Sequence, residues 1–134
     1  MVSRRPGASS DAHAKRLLGV IVGLTALRAI FAAQVELSPD EAYYWIWSTQ
    51  LSTGYYDHPP LVAWLIRLST GLLGDTELGV RLPALILSGA TSWLLFVVTR
   101  RLIGEPGRAF WVALIASVCP LFSVGAVIHT PDAG

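Results

Sequence analysis

Apolar residues form three long blocks along this chain, and the two gaps between them differ in character. Leu17 to Val35 is a 19-residue run broken only by Thr25, Arg28 and Gln34. At 1.5 Å per residue, a helix of that length crosses a hydrocarbon core of about 30 Å. A secretory signal is the competing reading. Its apolar region is usually about 7–15 residues and ends at a small-x-small cleavage site, and this run has neither property. The pattern therefore predicts an uncleaved first span over 17–35, a second over 80–99 and a third over 110–128.

The gap from residue 36 to 79 is long and patterned. Ser38-Pro39-Asp40-Glu41 reads as a helix start, with serine as N-cap, proline at the first helical position and glutamate three residues after the cap. A helix to about Gln50 follows. It carries Tyr43, Tyr44, Trp45 and Trp47, which favour a membrane–water interface. After a turn at Leu51–Gly54, Pro60 opens a second helix through Leu73, with Leu61, Trp64, Leu65, Leu68 and Leu72 on one face. Thirteen or so residues are too few to span, so this helix is expected to lie along the interface; a re-entrant helix is the alternative. Residues 1–16 hold Arg4, Arg5, Lys15 and Arg16 against Asp11 among Gly, Ser, Pro and Ala, the composition of a disordered basic tail.

Composition narrows the class. The chain is 53% hydrophobic and 14% charged, with mean hydropathy +0.54. Soluble domains carry about 25% charged residues, so this is an all-α integral membrane protein. Charge then sets orientation. Arg100, Arg101 and Arg108 crowd the short second gap, which places that gap and the N-terminal tail in the cytoplasm. The 36–79 loop, with six acids against Arg67, falls outside, and so does the C-terminal His129-Thr130-Pro131-Asp132. The net charge of +1 is spread along the membrane topology, and no nucleic-acid partner is expected. Cys119, the one cysteine, reads as a small core residue. The expected location is the cell (inner or plasma) membrane.

Candidate chemistry clusters on the outer side. Glu41 is accounted for as the capping-box partner of Ser38. Asp40 is not needed for the box and sits just beyond a span. Thr130-Pro131-Asp132 repeats the same hydroxyl–proline–aspartate order. Two carboxylates at one interfacial level can supply a general base or hold a divalent cation through oxygen; two independent helix caps are the plainer reading. In Asp57-His58-Pro59-Pro60 the prolines hold an acid and an imidazole in an extended approach to a helix start, where phosphate is favoured; a polar turn is the alternative. Arg28 lies inside the first span with no partner visible in the sequence, and Arg81 sits at the edge of the second, within snorkelling reach of the interface.

Asp40-Glu41-Ala42-Tyr43-Tyr44-Trp45, Gly54-Tyr55-Tyr56-Asp57-His58-Pro59-Pro60-Leu61, Val80-Arg81-Leu82-Pro83 and Thr130-Pro131-Asp132 together resemble the start of bacterial membrane glycosyltransferases of the dolichyl-phosphate-mannose–protein mannosyltransferase type. The aminoarabinose transferases acting on lipid A belong to the same superfamily. The resemblance implies a GT-C-type transmembrane helix bundle, here three spans plus two interfacial helices. It implies a polyprenyl-phosphate sugar as donor and an acceptor that is a lipid, glycan or protein. It places Asp40 and Asp132 in the catalytic region, with Asp40 as base or acceptor-orienting group. It puts Asp57 and His58 at the donor site, where Arg81 can also meet the phosphate; some relatives carry lysine at the position of His58. Family members are several times longer, so the chain is expected to be an N-terminal fragment (residues 17–134 of the membrane domain) that is inactive alone. Two other readings are a small non-enzymatic membrane scaffold and part of a lipid-linked sugar transporter. A transporter would place functional charges near the bilayer midplane, where only Arg28 lies.

Overall fold

A computed structural model of the chain describes residues 6–56 and 59–118, with side chains from Asp11 onward. Five helices follow one another: α1 Pro6–Ala32, α2 Pro39–Thr49, α3 Leu61–Leu73, α4 Glu77–Ile103 and α5 Pro106–Val118. α1, α4 and α5 pack together, and α2 and α3 gather at the end of α4 where it begins. The two loop helices expected from the cap and proline signals are present, within a residue of their expected starts.

Two boundaries differ from expectation. α1 begins at Pro6, so residues 6–16 are helical rather than a disordered tail. Proline suits a first helical turn, and Ala8, Ala12, Ala14, Lys15 and Arg16 are good helix formers. The turns that follow pack against α5, with the ring of His13 edge-on to Phe110 and Leu17 fully buried. At its other end α1 stops at Ala32, three residues short of the expected span end. From Leu17 to Ala32 the helix is about 24 Å long.

α4 is the one described helix long and apolar enough to cross a membrane. Only 17% of its apolar window is buried, so it is not a core helix wrapped by the rest of the chain. It ends at Gly104, in the left-handed conformation (φ 75°), whose N–H donates to the Arg100 carbonyl. Arg100 and Arg101 in that last turn complement the helix dipole. α5 is apolar but short as described, and the rest of the expected third span, with Cys119, lies outside the described residues.

The packing is inside-out relative to a water-soluble bundle. Val22, Leu27, Ile30, Ile86, Leu94 and Ile115 are more than half exposed. The contacts between helices use small and polar groups instead: Ala109, Ala113, Ser92 and Ser117 are buried. A β-carbon added at Gly89 of α4 would lie 3.2 Å from Ile21 of α1. Close approach through small residues is how helices associate where lipid removes the hydrophobic drive. Arg28 finds its partners here. It donates to the Ser88 hydroxyl at 3.3 Å and to the carbonyl of Ser117, so one charge ties α1 to α4 and α5.

α3 follows the same rule. Its leucine-rich face points outward, with Leu61, Leu68 and Leu72 each more than 60% exposed. The packed face is Ala63, Ile66, Ser69 and Thr70. The buried hydroxyls are satisfied within the helix, Ser69 to the Leu65 and Ile66 carbonyls and Thr70 to the Ile66 carbonyl. Those small residues admit the α3–α4 turn, where Gly74 takes φ 76° and Thr76 caps α4 by accepting from the Gly79 N–H at 3.0 Å. A β-carbon on Gly79 would sit 2.6 Å from the Gly74 carbonyl oxygen, a backbone atom that cannot swing away. Gly79→Ala is therefore expected to destabilise by about 1–3 kcal/mol. Gly71→Ala on α3, with open space around it, should be neutral or stabilising. Thermal unfolding of both variants in detergent measures the difference; equal midpoints would show that the turn has room.

Candidate active site

The site starts from the α2 helix start. Ser38 has extended backbone (φ −65°, ψ 159°), and its hydroxyl accepts from the Glu41 N–H at 3.4 Å. The Glu41 carboxylate accepts in return from the Ser38 N–H at 2.8 Å, which closes a capping box. Pro39 fills the first helical position and Asp40 the second. Asp40 is half-buried, and among the described residues it accepts no hydrogen bond and forms no ion pair. The box fixes the backbone under Asp40 without engaging its carboxylate.

Glu41 does more than cap. Both its oxygens meet Arg81 of α4: Nε donates to Oε1 at 2.7 Å and Nη2 to Oε2 at 2.7 Å. The other N–H groups of the guanidinium reach the end of α1. Nη1 donates to the carbonyls of Ala32 and Val35, each at 2.7 Å, and Nη2 to the Glu36 carbonyl at 2.9 Å. A guanidinium has five N–H donors, and Arg81 makes five bonds. The pair is nearly fully buried. Burial alone would push the Glu41 carboxyl up, but the bonds from Arg81 and Ser38 and the adjacent positive charge outweigh it and hold it below the usual carboxylate range. One side chain thus answers the open carbonyls at the end of α1 and locks the start of α2 onto α4.

This gives Arg81 a place the sequence did not suggest. It was expected at the donor phosphate. Its donors are all engaged by protein, and it joins Glu41 and Ser38 in the frame that carries Asp40. Asp57, His58 and Asp132 lie outside the described residues, and so does any contact between Asp40 and Asp132. Among the described residues no group of three His, Cys, Asp or Glu side chains can hold a metal ion.

Aromatic residues form a second frame, one that the sequence reading assigned only to the interface. Tyr44 and Trp47 are buried and pack with Ala63, Ile66 and Val80. Trp45 donates from Nε1 to Asp75 at 3.1 Å, beside a cleft of about 130 Å³ lined by Leu37, Trp45, Asp75, Thr76, Glu77 and Val80. Tyr55 stacks on Trp47, with ring centroids 4.6 Å apart and planes within 9°. Tyr44 and Trp47, three residues apart, share one face of α2. Nothing in the pattern linked Tyr55 to Trp47, because that pairing depends on the path of the loop.

Comparison with known proteins now bears on this arrangement. The family model described as dolichyl-phosphate-mannose-protein mannosyltransferase matches residues 57–134, more than half of the chain. The chain belongs to this family. The chain is similar to a lipid A galacturonosyltransferase of Rhizobium johnstonii, 29% identical over 116 residues, which are 84% of this chain and 24% of that protein. An undecaprenyl phosphate-alpha-4-amino-4-deoxy-L-arabinose arabinosyl transferase of Pseudomonas fluorescens is 28% identical over 90 residues, 67% of this chain and 15% of that one. The chain therefore spans a quarter or less of the length of these relatives. No solved structure matches. The galacturonosyltransferase alignment covers enough of the chain to extend the likeness beyond the part the family model matches.

Proposed function

We propose that the complete protein moves a sugar from a polyprenyl-phosphate donor to an acceptor on the extracytoplasmic face of the membrane, with Asp40 as the base. The observation that carries this reading is the state of Asp40: partly buried, unpaired among the described residues, and seated on a helix start that Arg81 and Glu41 lock in place. A purely capping aspartate would not need that frame, and the family supplies the reaction class. The relatives' names favour an undecaprenyl-linked donor and a membrane-lipid acceptor over a glycan or protein.

In this reading the acceptor hydroxyl oxygen attacks the anomeric carbon and the bond from that carbon to the lipid phosphate oxygen breaks. Asp40 takes the hydroxyl proton, and the phosphate leaves on the opposite face with inversion. Asp57 and His58 receive the donor phosphate and sugar, and Asp132 completes the acidic end. Arg81 acts through the frame rather than on the phosphate. A divalent cation at this end would be held through oxygen by Asp40 and Asp132. Most of the rate enhancement then comes from positioning and electrostatics. Transfer of radiolabelled sugar from purified polyprenyl-phosphate donors by the complete protein tests the reading. Failure with every such donor, in folded protein, would overturn it.

The same reading needs three spans, with the N-terminus and the 100–109 connection cytoplasmic. The basic residues at those two places support it. In a Cys119→Ala background, Thr53→Cys should react with an impermeant thiol reagent in intact cells. Leu102→Cys, at an 81% exposed position in the last turn of α4, should react only after the membrane is opened. The reverse pattern would put Asp40 on the cytoplasmic side and end the proposal.

A further inference from the structure

One edge of α2 carries a row of side chains that the proposed mechanism does not yet use. Asp40, Tyr43 and Trp47 follow one another at spacings of three and four, so they lie along one side of the helix. Trp47 is buried, and three rings pack on it. Tyr55 stacks on it at 4.6 Å between centroids, Tyr44 meets it edge-on at 5.3 Å, and Tyr43 lies against it at 4.5 Å with the planes tilted by 56°. Tyr43 is the member of this cluster one helical turn from Asp40, and it is 45% exposed. Its hydroxyl makes no hydrogen bond among the described residues. A ring braced on one side and open on the other is a flat apolar platform, already ordered before a substrate arrives.

We propose that Tyr43 is the platform on which the donor's sugar ring stacks beside Asp40. This rests on the reading of Asp40 as the base. In that reading the acceptor oxygen sits between the Asp40 carboxylate and the anomeric carbon. A hydrogen bond of about 2.6–3.2 Å on one side and an attack distance of about 3–3.5 Å on the other put that carbon about 6 Å from the carboxylate. Helix neighbours three residues apart have β-carbons about 5–6 Å apart. A sugar placed for attack beside Asp40 is therefore at the separation that brings it to the Tyr43 ring. A sugar ring presents C–H groups on its faces, and the face of an aromatic ring is its electron-rich side. The two can meet without stripping water from a hydroxyl. The phosphate leaves on the side of the anomeric carbon opposite the acceptor oxygen, so the contact is to the sugar and not to the lipid phosphate.

The test uses the complete protein and two ligands: the polyprenyl-phosphate sugar that supports transfer, and the same polyprenyl phosphate without sugar. Tyr43→Phe keeps the ring and Tyr43→Leu removes it. Tyr43→Leu should weaken binding of the sugar-bearing donor about 3–10-fold, the range an aromatic contact supports, and leave binding of the bare polyprenyl phosphate within about 2-fold. Tyr43→Phe should bind both as the native protein does. Ile46→Ala, at a 52% exposed position one turn further along α2, should change neither. Equal weakening toward both ligands in Tyr43→Leu overturns the sugar contact, and so does unchanged binding of both. A loss in Tyr43→Phe equal to that in Tyr43→Leu puts the contact on the hydroxyl and overturns the stacking. The native protein gives a second readout that does not depend on a variant folding. Nitration of Tyr43 by tetranitromethane, followed by peptide mass spectrometry, should be slowed by the sugar-bearing donor and not by the bare polyprenyl phosphate. Equal protection by the two, or none, overturns the proposal. Failure of these tests in protein that transfers sugar leaves the enzyme reading intact; folded native protein that transfers no sugar from any such donor defeats both.

Discussion

Arg81→Met is expected to loosen the whole outer end of the molecule, lowering its stability by about 3–5 kcal/mol, the usual consequence of leaving one member of a buried pair uncompensated. Glu41 would remain buried with a charge and no countercharge, keeping only the bond from the Ser38 N–H, and the carbonyls of Ala32, Val35 and Glu36 would lose their donor together. Glu41→Gln should cost less, because glutamine still closes the capping box and still offers one oxygen to Arg81. The double variant should fall well short of the sum of the two, since both act on one contact. Acid gives a second test of the same pair. Glu41 has its carboxyl held below the ordinary value, so its stabilisation is complete at neutral pH. It is lost as pH falls below about 4.5, the ordinary glutamate value, through the lower folded-state value. Thermal unfolding in detergent from pH 7 to pH 3 should show this loss in the native protein and a weaker one in Glu41→Gln. If Arg81→Met melts like the native protein, the clasp is not what holds α1, α2 and α4 together.

The second large effect is on rate. Asp40→Asn keeps the size and place of the side chain and removes the carboxylate proposed as the base. In the complete protein it should lower sugar transfer by at least about 100-fold, the lower bound for losing a general base. Donor affinity should change little, because asparagine preserves the shape of the side chain and the proposal gives Asp40 a role toward the acceptor proton. Stability should fall by no more than about 0.3–1 kcal/mol, the worth of a negative side chain near a helix N-terminus. The contrast with Arg81→Met is the point of the experiment. One variant should melt early, and the other should melt normally and fail to turn over. Near-normal transfer by well-folded Asp40→Asn would return Asp40 to the role of a helix-end charge.

Much of the local architecture could be read directly. Ser38, Pro39 and Glu41 announced the start of α2, and Pro60 the start of α3, because caps and proline geometry act over three or four residues. The leucine-rich face of α3 was legible as a stripe, but whether it faced protein or outward was not. The packed face is instead Ala63, Ile66, Ser69 and Thr70, chosen by how closely α4 approaches. The span boundaries were less legible. The apolar run continues to Val35, broken only at Gln34 beyond the helix, while α1 stops at Ala32, and its last carbonyls turn toward Arg81.

The sequence by itself determined the membrane class, the helix starts of the outer loop and the motif that places the chain in its family, since each depends on composition or on neighbours a few residues apart. Only the tertiary structure decided what Arg81, Arg28 and Tyr55 do. Arg81 bonds to residues 40 to 49 positions away, and Arg28 to residues 60 and 89 positions away. Tyr55 meets Trp47 only because the loop folds back on α2. A guanidinium at a membrane edge can serve a lipid phosphate or a set of open carbonyls equally well by its chemistry. Which of them it serves depends on where three helix ends meet, and that is fixed by packing.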